Sequence, residues 1–363
     1  MIQSNSSHIV KKFYAAANTC NGFYSLFGSI FSPEKFKRIY IIKGGPGCGK
    51  STTLKRVASR AEKDSLEVER YYCSSSPNSL DGVIIPALST AVLDGTAPHS
   101  VEPKYPGICE NIINLGEGWD ISRLCTIEDE VRNLTERKKS AYSTAYAYLS
   151  ACSEARKVID GCVSGYLLGD KMHRAVERLC SKLKLLKKDG KITSVFTDCI
   201  SGVGNVHLTT FEDLSENRYF IKDYAGIASE YFAYLCDELT SRGADITIAV
   251  NPLDPSKAVG ILVEDIKTSF TLYDDDYALK LDREQLPYKI VNTARFCDTK
   301  ILKRQKSILK FAEKSMQTLY GGAVRNLESA SRYHDEIEGL YHGITDFSKV
   351  EAIAEELEHR IFG

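Results

Sequence analysis

Paired cysteines are the first thing this chain of 363 residues lacks. Its 11 cysteines are odd in number and include no Cys-x-x-Cys pair, which excludes the common zinc spacing and argues against a disulfide framework. Reduced, mostly buried thiols are expected. Charge of one sign is lacking too. Lys and Arg total 47 against 48 Asp and Glu, and a net charge of −1 argues against a general binder of nucleic acid or membrane surfaces. No apolar run approaches the ~20 residues of a bilayer span, and no charged-then-apolar leader stands at residue 1. A cytoplasmic protein with neither membrane nor nucleic-acid partner is expected. Proline is missing between Pro106 and Pro252, and again after Pro287, which leaves room for long helices.

Those proline-free stretches carry a helical period. Ile127, Val131, Leu134, Ala141, Ala145, Leu149, Cys152, Ala155, Ile159 and Cys162 recur at steps of three and four. Ile308, Ala312, Met316, Leu319, Ala323, Leu327, Ala330, Ile337 and Leu340 do the same. Each run predicts a helix of ~35–40 residues, more than ~50 Å long, followed by a shorter helix at 171–186 or 349–361. The pattern reads as a helical hairpin in each half, the alternative being ordinary helices packed on a sheet.

What is present is concentrated in Gly44-Gly45-Pro46-Gly47-Cys48-Gly49-Lys50-Ser51-Thr52, which fits the phosphate-loop template G-x-x-x-x-G-K-[ST]. Ile39 to Ile42 reads as a buried strand before it, and the residues from Ser51 read as a helix after it. A strand, a glycine loop and a helix N-terminus offer backbone N–H groups and a positive dipole end to an anion. The glycines let the backbone come close, Pro46 stiffens the loop, Lys50 reaches β- and γ-phosphates, and Ser51 is the expected Mg²⁺ ligand.

The chain also resembles itself. Residues 39–43 return at 218–222, 77–85 at 255–263, and 149–161 at 327–339, while Ile112-Ile113-Asn114 matches Ile290-Val291-Asn292 and Asp120 matches Asp298. The constant offset implies a duplicated domain. The expected fold is α/β: two tandem three-layer domains with mostly parallel sheets, 1–189 and 190–363, with helical hairpins at about 121–189 and 299–363. An ungapped alignment sets Lys50 against Ser229 and Ser51 against Glu230, so the second copy is expected to hold no nucleotide.

A strand-end carboxylate acting on Mg²⁺ is expected beside such a loop. Asp94 is the candidate, because Thr90-Ala91-Val92-Leu93 is an apolar run that ends on it. Asp81 is a rival, although Asn78-Ser79-Leu80 reads as a poor strand. No glutamate follows Asp94, and the proline-punctuated loop beyond it offers Glu102 or His99 to orient a water. Cys48, at a helix N-terminus, reads as a thiol of lowered pKa. Trp119 could stack on a base or pack in the core. Arg218 and Arg295 are candidates for an arginine acting across the two copies. Asp274-Asp275-Asp276 reads as an exposed turn or a cation site. The lysines between 182 and 191 read as the last turn of a helix before a glycine cap at Gly190, the alternative being an RNA or DNA contact, and the run Lys300 to Lys310 as a solvated helix face.

The loop at 44–52 resembles that of the P-loop NTPase superfamily. Together with Ser79-Leu80-Asp81-Gly82-Val83-Ile84-Ile85-Pro86 and Leu93-Asp94-Gly95-Thr96-Ala97-Pro98-His99, it is similar to a family of bacterial ATPase-like proteins with tandem P-loop domains. The resemblance implies ATP binding with Mg²⁺ and hydrolysis by a switch or motor, with a nucleotide and a protein or small-molecule acceptor as partners. A phosphotransferase for a small molecule or nucleotide is the alternative, although no arginine-rich lid is evident. A non-hydrolysing nucleotide sensor or scaffold is the third reading. No Asn-Lys-x-Asp motif points to guanine.

Overall fold

The computed structural model describes residues 10–273 and 287–363, so Asp274-Asp275-Asp276 lies outside the described residues. The first half contains β1 (Val10–Tyr14), a hairpin of β2 (Ala16–Thr19) and β3 (Gly22–Ser25), β4 (Arg38–Lys43) and helix α1 (Lys50–Lys63). β5 (Val68–Tyr72), β6 (Leu80–Ile85), β7 (Thr90–Asp94), β8 (Glu110–Asn114), a long helix α2 (Glu128–Ser164) and a short helix α3 (Gly169–Cys180) follow. The second half has the same order: β9 (Ile192–Val195), β10 (Asp198–Ser201), β11 (Gly204–His207), β12 (Asn217–Lys222), α4 (Ile227–Ser241) and β13 (Ile246–Asn251). β14 (Asp254–Val263), β15 (Thr268–Leu272), β16 (Tyr288–Asn292), the long α5 (Lys306–His342) and the short α6 (Phe347–Phe362) complete it.

Two six-stranded sheets result, ordered β1-β5-β6-β7-β4-β8 and β9-β13-β14-β15-β12-β16. Each is mixed, because β6 and β14 run antiparallel to both neighbours while the other pairings are parallel. The reason is local. A single turn at Pro86–Leu88, closed by Ser89 at φ 49°, joins β6 to β7, and a connection that short can only make a hairpin. Lys267 at φ 45° closes the matching turn before β15.

Side chains on the central strands alternate between two apolar faces. In the first half Tyr40, Ile42 and Val92 meet Leu54, Val57 and Ala58 of α1. Ile39, Ile41, Ala91 and Leu93 face the other way, onto Phe27, Ile30 and Phe31 and onward to Phe211, Ala249 and Leu262 of the second half. A shared apolar layer thus stands where the expected three-layer arrangement would put a second tier of helices.

The short helices do not fold back over their own sheets as appended hairpins would. Met172, Val176 and Cys180 of α3 join the core built on Ile221, Phe232 and Leu235 of the second half. Val350, Leu357 and Ile361 of α6 join the core built on Leu54, Val57 and Ala61 of the first. Reciprocal single bridges mark the crossing, Trp119 with Thr345 and Leu167 with Cys297. Arg56 of α1 fastens α6 through Glu351 and, at 2.9 Å, Glu358. Helix length explains the exchange. At 37 residues, α2 and α5 each span ~55 Å and carry the chain from one sheet to the other. They lie antiparallel, with Arg137 reaching Tyr333 at one end and Cys152 reaching Met316 towards the other. Ala145, Leu149, Ala323 and Leu327 fill the crossing. No helix among the described residues is long and apolar enough to cross a membrane.

Candidate functional site

The glycine loop at 44–49 joins the end of β4 to α1, with Gly47 at φ 67° and Gly49, the helix N-cap, at φ 89°. These are backbone states that favour glycine. Space is also short: a Cβ on Gly47 would lie 2.7 Å from the Glu338 carbonyl oxygen, and one on Gly44 would lie 2.5 Å from Cys48 Sγ. β7 runs parallel to β4 with Asp94 opposite Ile42, so that carboxylate stands at the same sheet end as the loop. Lys50 Nζ donates to the carbonyls of Gly44 (3.1 Å) and Gly45 (2.8 Å) and lies 3.6 Å from Asp94 Oδ2. Asp94 Oδ1 accepts from the Thr96 amide and hydroxyl. The Ser51 hydroxyl accepts from the Leu80 amide at 3.0 Å, next to Asp81, while Thr52 is exposed.

Asp81, Asp94 and His99 come together, with one ligand atom from each lying within 4.8 Å of the others. Asp81 belongs to β6, and His99 to the loop after β7. That loop is stapled by Lys43, whose Nζ donates to the carbonyls of Gly95 (2.9 Å) and Val101 (2.8 Å). Lys43 also pairs with Glu102 at 2.7 Å. The Glu102 side chain is 77 % exposed and stands outside the Asp81–Asp94–His99 group. Burial works against a charge on His99, but Asp81, 3.5 Å away, and Asp94 outweigh it and raise its pKa.

Other expected residues fall differently. Burial pushes the Cys48 thiol up, overriding the helix N-terminus that was expected to lower it. Trp119 packs against Gly45 and Tyr341. Arg218 is buried and donates to the Glu212 carbonyl, and Arg295 lies over the Phe296 ring. From the long helices come three residues that sequence reasoning missed. Glu338 Oε1 accepts from the Gly47 amide at 3.3 Å, and Lys138 lies 3.4 Å from His334 Nδ1. Burial pushes the Lys138 ammonium down, opposed by Glu338 and assisted by the charge of Lys50. No spacing in the sequence links positions so far apart to the loop.

In the second half the corresponding loop, 223–226, is two residues shorter than 44–49. Gly226, at φ 88°, caps α4 as Gly49 caps α1, which puts Ile227 at the place of Lys50 and corrects the ungapped match to Ser229. Asp223 folds its own carboxylate over this helix end, accepting from the amides of Gly226 (2.9 Å) and Ala228 (2.8 Å). Sheet register also puts Leu272, not the acidic run after it, at the place of Asp94.

Comparisons of the chain with known protein families, curated proteins and solved structures find no match.

Proposed function

We propose that this chain is an ATP-binding P-loop protein of duplicated build, a Mg²⁺-dependent nucleoside triphosphatase with one competent and one degenerate half. One observation carries the reading. A strand, a glycine loop with two left-handed glycines and a helix opening on Lys50-Ser51 meet a carboxylate, Asp94, on the adjacent parallel strand. The Gly47 amide already faces a carboxylate oxygen, so the loop is polarised for anions. The shared strand order and the reciprocal bridges of Trp119 and Leu167 support the duplication.

In this reading residues 44–52 would cradle the phosphates, Lys50 would leave the Gly44 and Gly45 carbonyls for the phosphate oxygens, and Ser51 and Asp94 would hold a Mg²⁺ that offsets phosphate charge. Water would add to the γ-phosphorus as its bond to the bridging oxygen breaks, giving ADP and phosphate with a proton released to solvent. The long helices that touch the loop would pass the change on to the second half, as in a switch.

Phosphate release from Mg-ATP, with nucleotide binding measured in parallel, tests the reading. Lys50→Ala removes a charge-assisted contact of ~1.5–3 kcal/mol, so binding should weaken about ten- to a hundredfold and turnover should vanish. Binding without turnover would move the assignment to a phosphotransferase or a sensor. Absence of binding would end it.

A further inference from the structure

We propose that Asp81, Asp94 and His99 form a site for a divalent transition ion of the Mn²⁺ or Zn²⁺ class that fills without nucleotide. The proposal goes beyond the nucleotide reading and shares only Asp94 with it. Its first ground is an electrostatic conflict. β6 and β7 pair as far as Gly82 opposite Leu93, and Asp81 and Asp94 are the residues just beyond that last pair, with a carboxylate oxygen of each within 4.8 Å of the other. Like charges held this close repel, and here both residues are only 8 % exposed. Lys50, 3.6 Å from Asp94 Oδ2 but shared with two loop carbonyls, and His99, 3.5 Å from Asp81 Oδ2, each answer this conflict in part, and an ion would take the place of the proton on His99.

The second ground is His99. It is 7 % exposed and lies flat on Phe27, with ring centroids 4.4 Å apart and planes within 7°. Among the described residues its buried Nδ1 has no hydrogen-bond partner, and its Nε2 stands 3.5 Å from Asp81 Oδ2. One of its nitrogens and one oxygen from each carboxylate lie within 4.8 Å of one another. Ligands held ~2.0–2.2 Å from a common ion need only a small closure from that spacing. An imidazole nitrogen with two carboxylate oxygens suits Mn²⁺, Fe²⁺ or Zn²⁺ better than Mg²⁺, which prefers oxygen alone.

The third ground lies in the other half. There the pairing ends at Gly260 opposite Thr271, and the residues just beyond that pair are Val259 and Leu272. Where the loop has lost its lysine, an apolar pair replaces the acidic one on an equivalent hairpin. The hairpin therefore does not require two carboxylates in order to fold.

Mn²⁺ titrated into the nucleotide-free, full-length protein tests the proposal by electron paramagnetic resonance and calorimetry. Wild-type protein should bind Mn²⁺ in preference to Mg²⁺ and show ¹⁴N hyperfine coupling from an imidazole, a readout that needs no variant. Asp81→Asn and His99→Gln should each weaken binding at least about tenfold, whereas Lys50→Ala should leave it intact or tighten it. The proposal falls if Mn²⁺ binds only with nucleotide, if no nitrogen coupling appears, or if a folded His99→Gln protein binds as before. ATP binding in the same preparations separates the two readings. ATP without nucleotide-free Mn²⁺ sinks this site alone, and Mn²⁺ without ATP sinks only the nucleotide reading.

Discussion

At the ends of β4 and β7 the first half carries the loop 44–49, Lys50 and the Asp81–Asp94 pair, whereas the matching ends of β12 and β15 carry the shorter loop 223–226, Ile227 and the pair Val259–Leu272. Both helices begin at a left-handed glycine, and a carboxylate meets an amide of each loop, the N-cap Gly226 in the second half and Gly47, two residues before the N-cap, in the first. The source of that carboxylate differs. In the second half it is Asp223, in the loop itself, with amide contacts of 2.9 and 2.8 Å. In the first it is Glu338, reaching over from α5 with a single amide contact of 3.3 Å. A helix N-terminus attracts an anion in either case. A carboxylate built into the loop meets that need permanently, whereas one borrowed from a distant helix would be displaced by a phosphate if nucleotide binds as proposed. On that reading the second half holds a fixed version of a contact that the first half leaves exchangeable.

The largest effect should come from breaking the helix exchange. Deleting residues 346–363 removes Val350, Leu357 and Ile361 from the core around Leu54 and Val57. Three buried aliphatic side chains at ~1.5–3 kcal/mol each put the loss at roughly 5 kcal/mol or more. Hydrogen exchange should locate that loss in β4 and α1 of the first half, far along the chain from the cut, and leave β12 and α4 protected. Faster exchange in β12 and α4 instead would mean that α6 supports its own half.

Much of this architecture was legible in the sequence, and the reasons for the gaps are physical. The glycine loop and the long helices announce themselves through left-handed residues and a sustained period of 3.6. Periodicity shows that a helix has a buried stripe but not what covers it, so the passage of α3 and α6 to opposite halves left no signal. β6 was hidden because Asp81-Gly82 looks like a turn, both residues being poor strand formers. Its aspartate joins the buried cluster with Asp94 and His99, and local preference is often broken where such polar groups are gathered. Asp94 was found at a strand end, as expected. Asp81 and His99 were each visible as candidates, but neither the antiparallel pairing of β6 with β7 that brings Asp81 near Asp94 nor the fold of the loop after β7 that returns His99 to it was. The two-residue difference in length between the loops escaped because an ungapped match hides it.

A smaller asymmetry separates the two N-terminal hairpins. His207 lies 3.0 Å from Asp198 and 3.7 Å from Glu212, whereas the corresponding hairpin ends of the first half are Ala16 and Ser25. Burial opposes the imidazolium, but Asp198 and Glu212 outweigh it and push its pKa up to about 10. A histidine raised on folding stabilises most below its unfolded pKa of ~6.5, and the gain fades as pH climbs towards the folded value. His207→Ala should therefore cost about 1–2 kcal/mol at pH 6, discounted for partial exposure, and far less above pH ~10. Urea unfolding at the two pH values measures this. Equal losses at both would mean that packing, not charge, sets the role of His207.

The finest test addresses Glu338 itself. Its counterpart at the repeat offset, Asp160, is tied down by Arg156 at 3.0 Å and Lys257 at 2.8 Å, while Glu338 has His334 at 3.5 Å and the Gly47 amide at 3.3 Å. The Glu338 side chain is 47 % exposed, so its hold on the loop is screened by solvent. If a nucleotide binds as proposed, its phosphate would compete with Glu338 for the Gly47 amide, and the carboxylate would block and repel it. Glu338→Gln removes the charge and keeps the size, so ATP affinity should rise about three- to fivefold, or ~0.5–1 kcal/mol. Asp160→Asn, made at the fixed end, should leave affinity unchanged. Calorimetry on the two variants reads both numbers. Weaker binding in Glu338→Gln would show that the carboxylate shapes the loop for nucleotide, and equal affinity in both variants would show that α5 rests on the loop without contesting it.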